Sequence, residues 1–184
     1  MGMRDNVYRD LKPVLVGTSS TCASILRMFE QIPTKLEMDS ILEGCYERSE
    51  RVFTNTNEFD ESVVGYGAGY ARGIISLGGS LDFSKYIAAC DTLLESQTID
   101  NVIAYRDAAK HCRSNLATAL PASNSIRESV RSMIDLFEDE GFYIDPVLED
   151  LNSYFAPQLE SALKLVDMRV EEGVSLAREW IQWV

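Results

Sequence analysis

The stretch VVGYGAGYARGIISLGG, residues 63–79, carries six glycines, and its reading decides the fold. A dinucleotide-binding loop would need G-x-G-x-x-G directly after a buried strand. Gly65 and Gly67 fit that pattern, but position 70 is Tyr70, and the preceding NEFDESVV is acidic and amphipathic. The phosphate-loop form G-x-x-x-x-G-K-[ST] fails for want of the lysine. What does fit is Gly65, Gly69 and Gly73 at spacing four, which sets all three on one stripe of a helix and bares its backbone there. Each interior glycine costs about 0.5–1 kcal/mol relative to alanine, so a close approach has to recover the loss. Three settings would do so: packing inside a helical bundle, contact with another subunit, or a broken segment that holds a ligand on its backbone amides. Tyr66 and Tyr70 flank the stripe and serve any of the three.

Outward from this helix, apolar residues recur at helical spacing on both sides. Residues 4–16 read as a short helix or an extended arm, because Pro13 disfavours a regular helix across the second half. After a break at GTSST, Cys22, Ile25, Leu26 and Phe29 form a stripe ended by Ile32-Pro33. A helix from about Asp39 is expected to carry Ile41, Leu42, Cys45, Tyr46 and Val52, followed by a turn-rich loop at TNTNEF. The glycine helix is expected from about Asp60 to Leu77, the next from Leu81 or Asp82 to near Ser96. Thr98 or Asp100 then caps a helix striped by Val102, Tyr105, Ala109, Cys112 and Leu116. Ser125 and Glu128 read as a capping box that starts a new helix, which Gly141 ends. Pro146 opens a further segment, and Pro157 kinks or restarts it. The remainder forms a helix of about 27 residues, or about 40 Å, which is longer than a compact bundle needs and suggests a partner.

No period-2 alternation stands out. The expected fold is all-α: a single-domain irregular bundle of six to eight helices over residues 1–184, with 1–17 as a candidate N-terminal arm and a long C-terminal helix.

The chain of 184 residues has 29 Asp and Glu against 17 Lys and Arg, for a formal charge of −12. That excess repels phosphate-rich polymers, and basic residues come singly or in pairs, so nucleic acid and anionic membranes are disfavoured as partners. Cys22, Cys45, Cys90 and Cys112 include no C-x-x-C pair and share the chain with one histidine, which does not support a zinc site. They read as reduced core thiols, and no metal or cofactor is expected. There is no apolar run near the roughly 18 residues that a membrane span needs. The expectation is a cytoplasmic protein, or a component of an intracellular assembly such as a virion, neither membrane-inserted nor secreted.

One segment raises a chemical alternative. YRDAAKHC contains Arg106, Asp107 and His111, the last being the sole histidine. The arrangement resembles the R-x4-6-H signature of the HEPN superfamily, all-helical and often dimeric proteins of which many are metal-independent endoribonucleases. The resemblance implies His111 as general acid or base on the RNA 2′-hydroxyl or leaving oxygen. Arg106 would stabilise charge developing on the phosphate, and Asp107 would orient or tune the pair. The other reading of the same residues is a solvated helical face.

Weighed together, these features favour a non-enzymatic helical assembly or adaptor protein that acts through protein contacts with a partner or with copies of itself. Its candidate interface is Gly65, Gly69, Gly73, Tyr66 and Tyr70, together with Trp180 and Trp183 near the chain end, where tryptophans dock on the core or on a partner. The ribonuclease is one alternative; an acidic decoy that binds a basic protein through a face such as Glu138-Asp139-Glu140 is another.

Overall fold

The computed structural model describes residues 2–183; Met1 and Val184, the ends of the expected domain span, lie outside the described residues. Among the described residues there is no strand, and the chain is all-α. The helices are α1 (Met3–Glu30), α2 (Lys35–Arg48), α3 (Glu58–Ser80), α4 (Ser84–Glu95), α5 (Ile99–Asp139) and α6 (Pro146–Asp150). One π-helical turn (Leu151–Phe155) follows and leads into α7 (Ala156–Gln182).

The main departure from expectation is fusion. Only α1, α2, α3, α5 and α7 exceed twelve residues, fewer than the six to eight helices expected. α1 runs unbroken through Pro13 and the GTSST segment, and α5 runs through Pro121 and through the supposed capping box at Ser125. A proline inside a helix removes one amide and frees one carbonyl. Here Pro13 and Pro121, and the residues four before them, Arg9 and Ala117, are all exposed, so water can satisfy what is freed. Meanwhile the buried stripe never lapses: Leu11, Leu15, Cys22 and Ile25 on α1, with the polar Thr18 among them, and Leu116, Ala119, Ala122, Ile126 and Val130 on α5. Tertiary burial outweighs the local breaker.

True ends have true caps. Thr34 opens α2 by accepting the Glu37 amide at 3.2 Å, and its hydroxyl donates to the Glu37 carboxylate. Asn57 opens α3 by accepting the Asp60 amide at 2.8 Å. Thr98 opens α5 through the Asn101 amide, as expected. α5 ends in a Schellman turn: Gly141 has φ 68°, Gly141 N–H donates to the Glu138 carbonyl, and Phe142 N–H reaches back to Phe137. The rings of Phe137 and Phe142 stack at 5.2 Å and 8°, the apolar contact that accompanies such a turn. Asp145 caps α6 ahead of Pro146, and the π turn absorbs the approach to Pro157.

The chain divides into two compact units. The first comprises the chain up to Arg27, Ser80–Thr118 and the chain from Ser161. Its interior holds Tyr86 and Tyr105, whose hydroxyls lie 3.3 Å apart, and the thiols of Cys22, Cys90 and Cys112. Gly173 on α7 is needed here, because a methyl at that position would run into the Tyr105 phenol. Trp180 is buried and meets Tyr8 edge-on at 5.8 Å, whereas Trp183 is half exposed, its carbonyl bound by Arg4. The second unit comprises Met28–Gly79 and Ala119–Glu160. There α3 presses its glycine face on α5: a Cβ at Gly73 would come within 2.7 Å of Ile126 and 3.1 Å of the Ala122 carbonyl, and one at Gly69 within 2.9 Å of Ser129.

Two glycine substitutions should therefore move stability in opposite directions. Gly173→Ala is expected to lose about 1–3 kcal/mol through overpacking against Tyr105. Gly67→Ala should gain about 0.5–1 kcal/mol, because no atom lies within 4 Å of the position its Cβ would take. Urea denaturation of the two variants checks both; equal midpoints would refute the assigned packing.

Candidate functional site

Within the second unit, the polar knot that closes the loop between α2 and α3 begins at Asp60. This residue sits in the first turn of α3, where the sequence needs an acid only for the helix dipole, yet its side chain is 2% exposed. One oxygen accepts the Tyr46 hydroxyl at 2.6 Å. The other accepts the Thr54 amide at 3.0 Å, the Thr54 hydroxyl at 3.1 Å, and the Asn55 amide and the Asn57 side-chain amide at 3.2 Å each. Asn55 has φ 56°, a left-handed conformation that asparagine tolerates, and this turns its amide toward the carboxylate. Burial alone pushes the Asp60 carboxyl up, but the bonds from Tyr46, Thr54 and Asn55 outweigh it and hold the group below the usual carboxylate range. Burial and the same carboxylate push the Tyr46 phenol up.

Around this knot the aromatic rings of Tyr46, Phe53, Phe59, Phe137 and Phe142 pack edge-on or tilted at 4.6–6.4 Å. Phe53 is pinned on Tyr46 by the loop that Asp60 holds. The expected helix through Val52 does not form: α2 stops at Arg48, and Val52 and Phe53 lie in the loop, 80% and 46% exposed. Their other side bounds a groove of about 650 Å³ between α2 and α3. Leu42 and Tyr46 form the α2 wall, and Val63, Val64, Gly67 and Ala68 the α3 wall. Glycine at 67 and alanine at 68 keep that wall low. The lip along α2 and the loop that follows it repeats a charged residue every four positions, Lys35, Asp39, Glu43 and Glu47 on the helix and Arg51 beyond its end.

The residues singled out from sequence divide between the units. Gly69 and Gly73 lie against α5, Tyr70 is fully buried with its hydroxyl donating to the Pro33 carbonyl, Tyr66 is half-buried, and Gly65 is open. In the first unit Arg106 pairs with its neighbour Asp107 at 3.2 Å. His111 lines a small recess of about 40 Å³ with Asp82, Lys85 and Tyr86. Five residues of helix turn about 140°, which splays Arg106 and His111, and Arg106 is not among the residues that line the recess with His111. All four thiols are buried and free; burial pushes Cys90 and Cys112 up to about 12 and Cys22 higher still. Among the described residues no cluster of histidine, cysteine and acidic side chains has the makings of a metal centre, and no helix is long and apolar enough to cross a membrane. Comparison with protein-family models, with curated proteins and with solved structures finds no match.

Sequence reading missed Asp60, Val52 and Phe53 as a set. The available signal was an acid at the third helical position after Asn57, one of three in that turn, directly behind a Thr/Asn-rich loop rich in donors.

Because the folded pKa of Asp60 is lowered, its contribution to stability is complete above the unfolded carboxylate value of about 3.9 and is lost as pH falls through the lower folded value. Denaturation midpoints should decline below about pH 4 in the wild type and decline less in Asp60→Asn. At neutral pH Asp60→Ala should lose about 1–3 kcal/mol or more, since several buried donors are orphaned together. An Asp60→Ala midpoint equal to wild type would refute the assignment.

Proposed function

We propose that this protein is a non-enzymatic helical adaptor or assembly subunit, and that it works by docking a protein segment in the groove between α2 and α3. The observation that carries the reading is the groove's unfilled apolar lining. Val52, Phe53 and Val64 stay 80%, 46% and 46% exposed side by side on a frame that Asp60 makes rigid. Single exposed apolar residues need no explanation, but a contiguous concave set is the mark of a binding surface. The lining offers no histidine or thiol, and the chain's one histidine lies in the other unit. Elevated thiol pKa values also speak against nucleophilic cysteine chemistry. The groove follows α2 from Lys35 to Glu47, a rise of about 18 Å, the length of roughly three helical turns. An amphipathic helix laid in a groove is the recognition mode that such a shape serves.

Selection from a displayed peptide library tests this directly, with the Gly67→Trp variant used for counter-selection. Tryptophan at 67 projects into the groove from a position with no neighbour within 4 Å, so the fold should tolerate it. Enriched peptides should place apolar residues at i, i+3 or i+4, and i+7, and should bind the variant about tenfold or more weakly than wild type. His111→Ala should leave that binding unchanged. No enrichment over Gly67→Trp would sink the reading.

A further inference from the structure

The charges on the α2 lip are not evenly satisfied. At one end Lys35 pairs with Asp39 at 3.6 Å. At the other, Arg51 lies over the Phe142 ring at 5.5 Å and is already engaged with the aromatic cluster. Between them Glu43 and Glu47, one helical turn apart, are exposed and have no ion pair among the described residues. The facing wall, Val63, Val64, Gly67 and Ala68, carries no charge of either sign. The groove is thus apolar inside, with two carboxylates outside any ion pair on the middle of one lip and a net lining charge of −1, from Lys35 and Arg51 against Asp39, Glu43 and Glu47.

We propose that the occupant of this groove is a basic amphipathic helix, one whose apolar face packs on Phe53, Val63 and Val64 while Lys or Arg side chains at i and i+4 meet Glu43 and Glu47. The proposal rests on the docking role of the groove argued above and adds the chemistry of what docks. Spacing supports it: two carboxylates four residues apart on a helix lie about 6 Å apart along the axis, and cations at i and i+4 on a partner helix match that interval. Long-range charge points the same way. The chain bears −12, so a cationic segment is steered toward it and an acidic one is repelled, and a second copy of the chain would bring like charge. Lysine and arginine stems also cover apolar surface while their heads stay in water, which suits a lip directly above Leu42 and Tyr46.

The test is fluorescence anisotropy with three labelled 18-residue peptides on the full chain. All carry the same leucine face; the flanking positions are Lys in one, Gln in the second and Glu in the third. The Lys peptide is expected to bind about tenfold more tightly than the Glu peptide at low salt, a gap that narrows at high salt. Glu43→Lys/Glu47→Lys should reverse the order. These side chains are exposed and the change leaves the Lys35–Asp39 pair intact; Glu43→Gln/Glu47→Gln, which should abolish the preference, serves as the milder second variant. Gly67→Trp should weaken all three peptides. Equal binding of the three peptides to wild type, or an unchanged preference in both double variants, overturns the basic-helix proposal while the groove stands. A Lys peptide that binds Gly67→Trp as tightly as wild type overturns it too, because the contact is then elsewhere on the acidic surface. Failure of every peptide, together with an empty library selection, takes down the groove and this inference alike.

Discussion

A carboxylate sealed from water keeps its charge only where donors surround it. Asp60 meets that condition with five, one from Tyr46 on α2 and four from Thr54, Asn55 and Asn57 of the loop ahead of α3. The constraint works outward. Tyr46 is fixed at its hydroxyl and therefore in its ring plane, and Phe53, Phe59, Phe137 and Phe142 take their tilts from it. The loop, held by its own amides rather than by apolar burial, can then leave Val52 and half of Phe53 in water without losing its shape. An unfilled apolar groove ordinarily collapses on itself. This one is propped by a polar knot behind its wall.

Helical periodicity was legible throughout, and with it the all-α class. Breaks were less so, because a breaker acts only where burial does not oppose it. The pattern Ser/Thr-x-x-Glu occurs at Thr34–Glu37 and at Ser125–Glu128. At the first, Pro33 gives its carbonyl to the Tyr70 hydroxyl, the Glu37 amide turns to Thr34, and a helix begins. At the second, Ala122, Ile126 and Val130 keep the stripe buried, and α5 passes straight through. Local sequence is alike in the two places; the long-range partner differs. The glycine stripe shows the same dependence. Spacing four put Gly65, Gly69 and Gly73 on one face, but only Gly69 and Gly73 meet α5, while the position with the least room is Gly173, which sat unremarked between Val170 and Val174.

The groove was hidden for a related reason. Its walls come from residues about 10 to 30 apart along the chain, and Val52 and Phe53 look like core by composition. Nothing local says that a loop will hold them outward. By contrast Arg106, Asp107 and His111 are close in sequence and so attract notice, yet a continuous helix separates side chains five apart as surely as a turn would gather them. Proximity in sequence and proximity in space come apart most readily in an all-helical chain.

The sealing of Cys22, Cys45, Cys90 and Cys112 has a practical side. Burial pushes these thiols up and shields them, so the folded chain is expected to react slowly with maleimides and similar reagents. A single cysteine introduced on the groove lip becomes the fast-reacting handle in an otherwise native background. Spin labels, fluorophores or cross-linkers can be set along α2 and α3 one position at a time, and the groove can be mapped without first stripping the core of the sulfur it packs around.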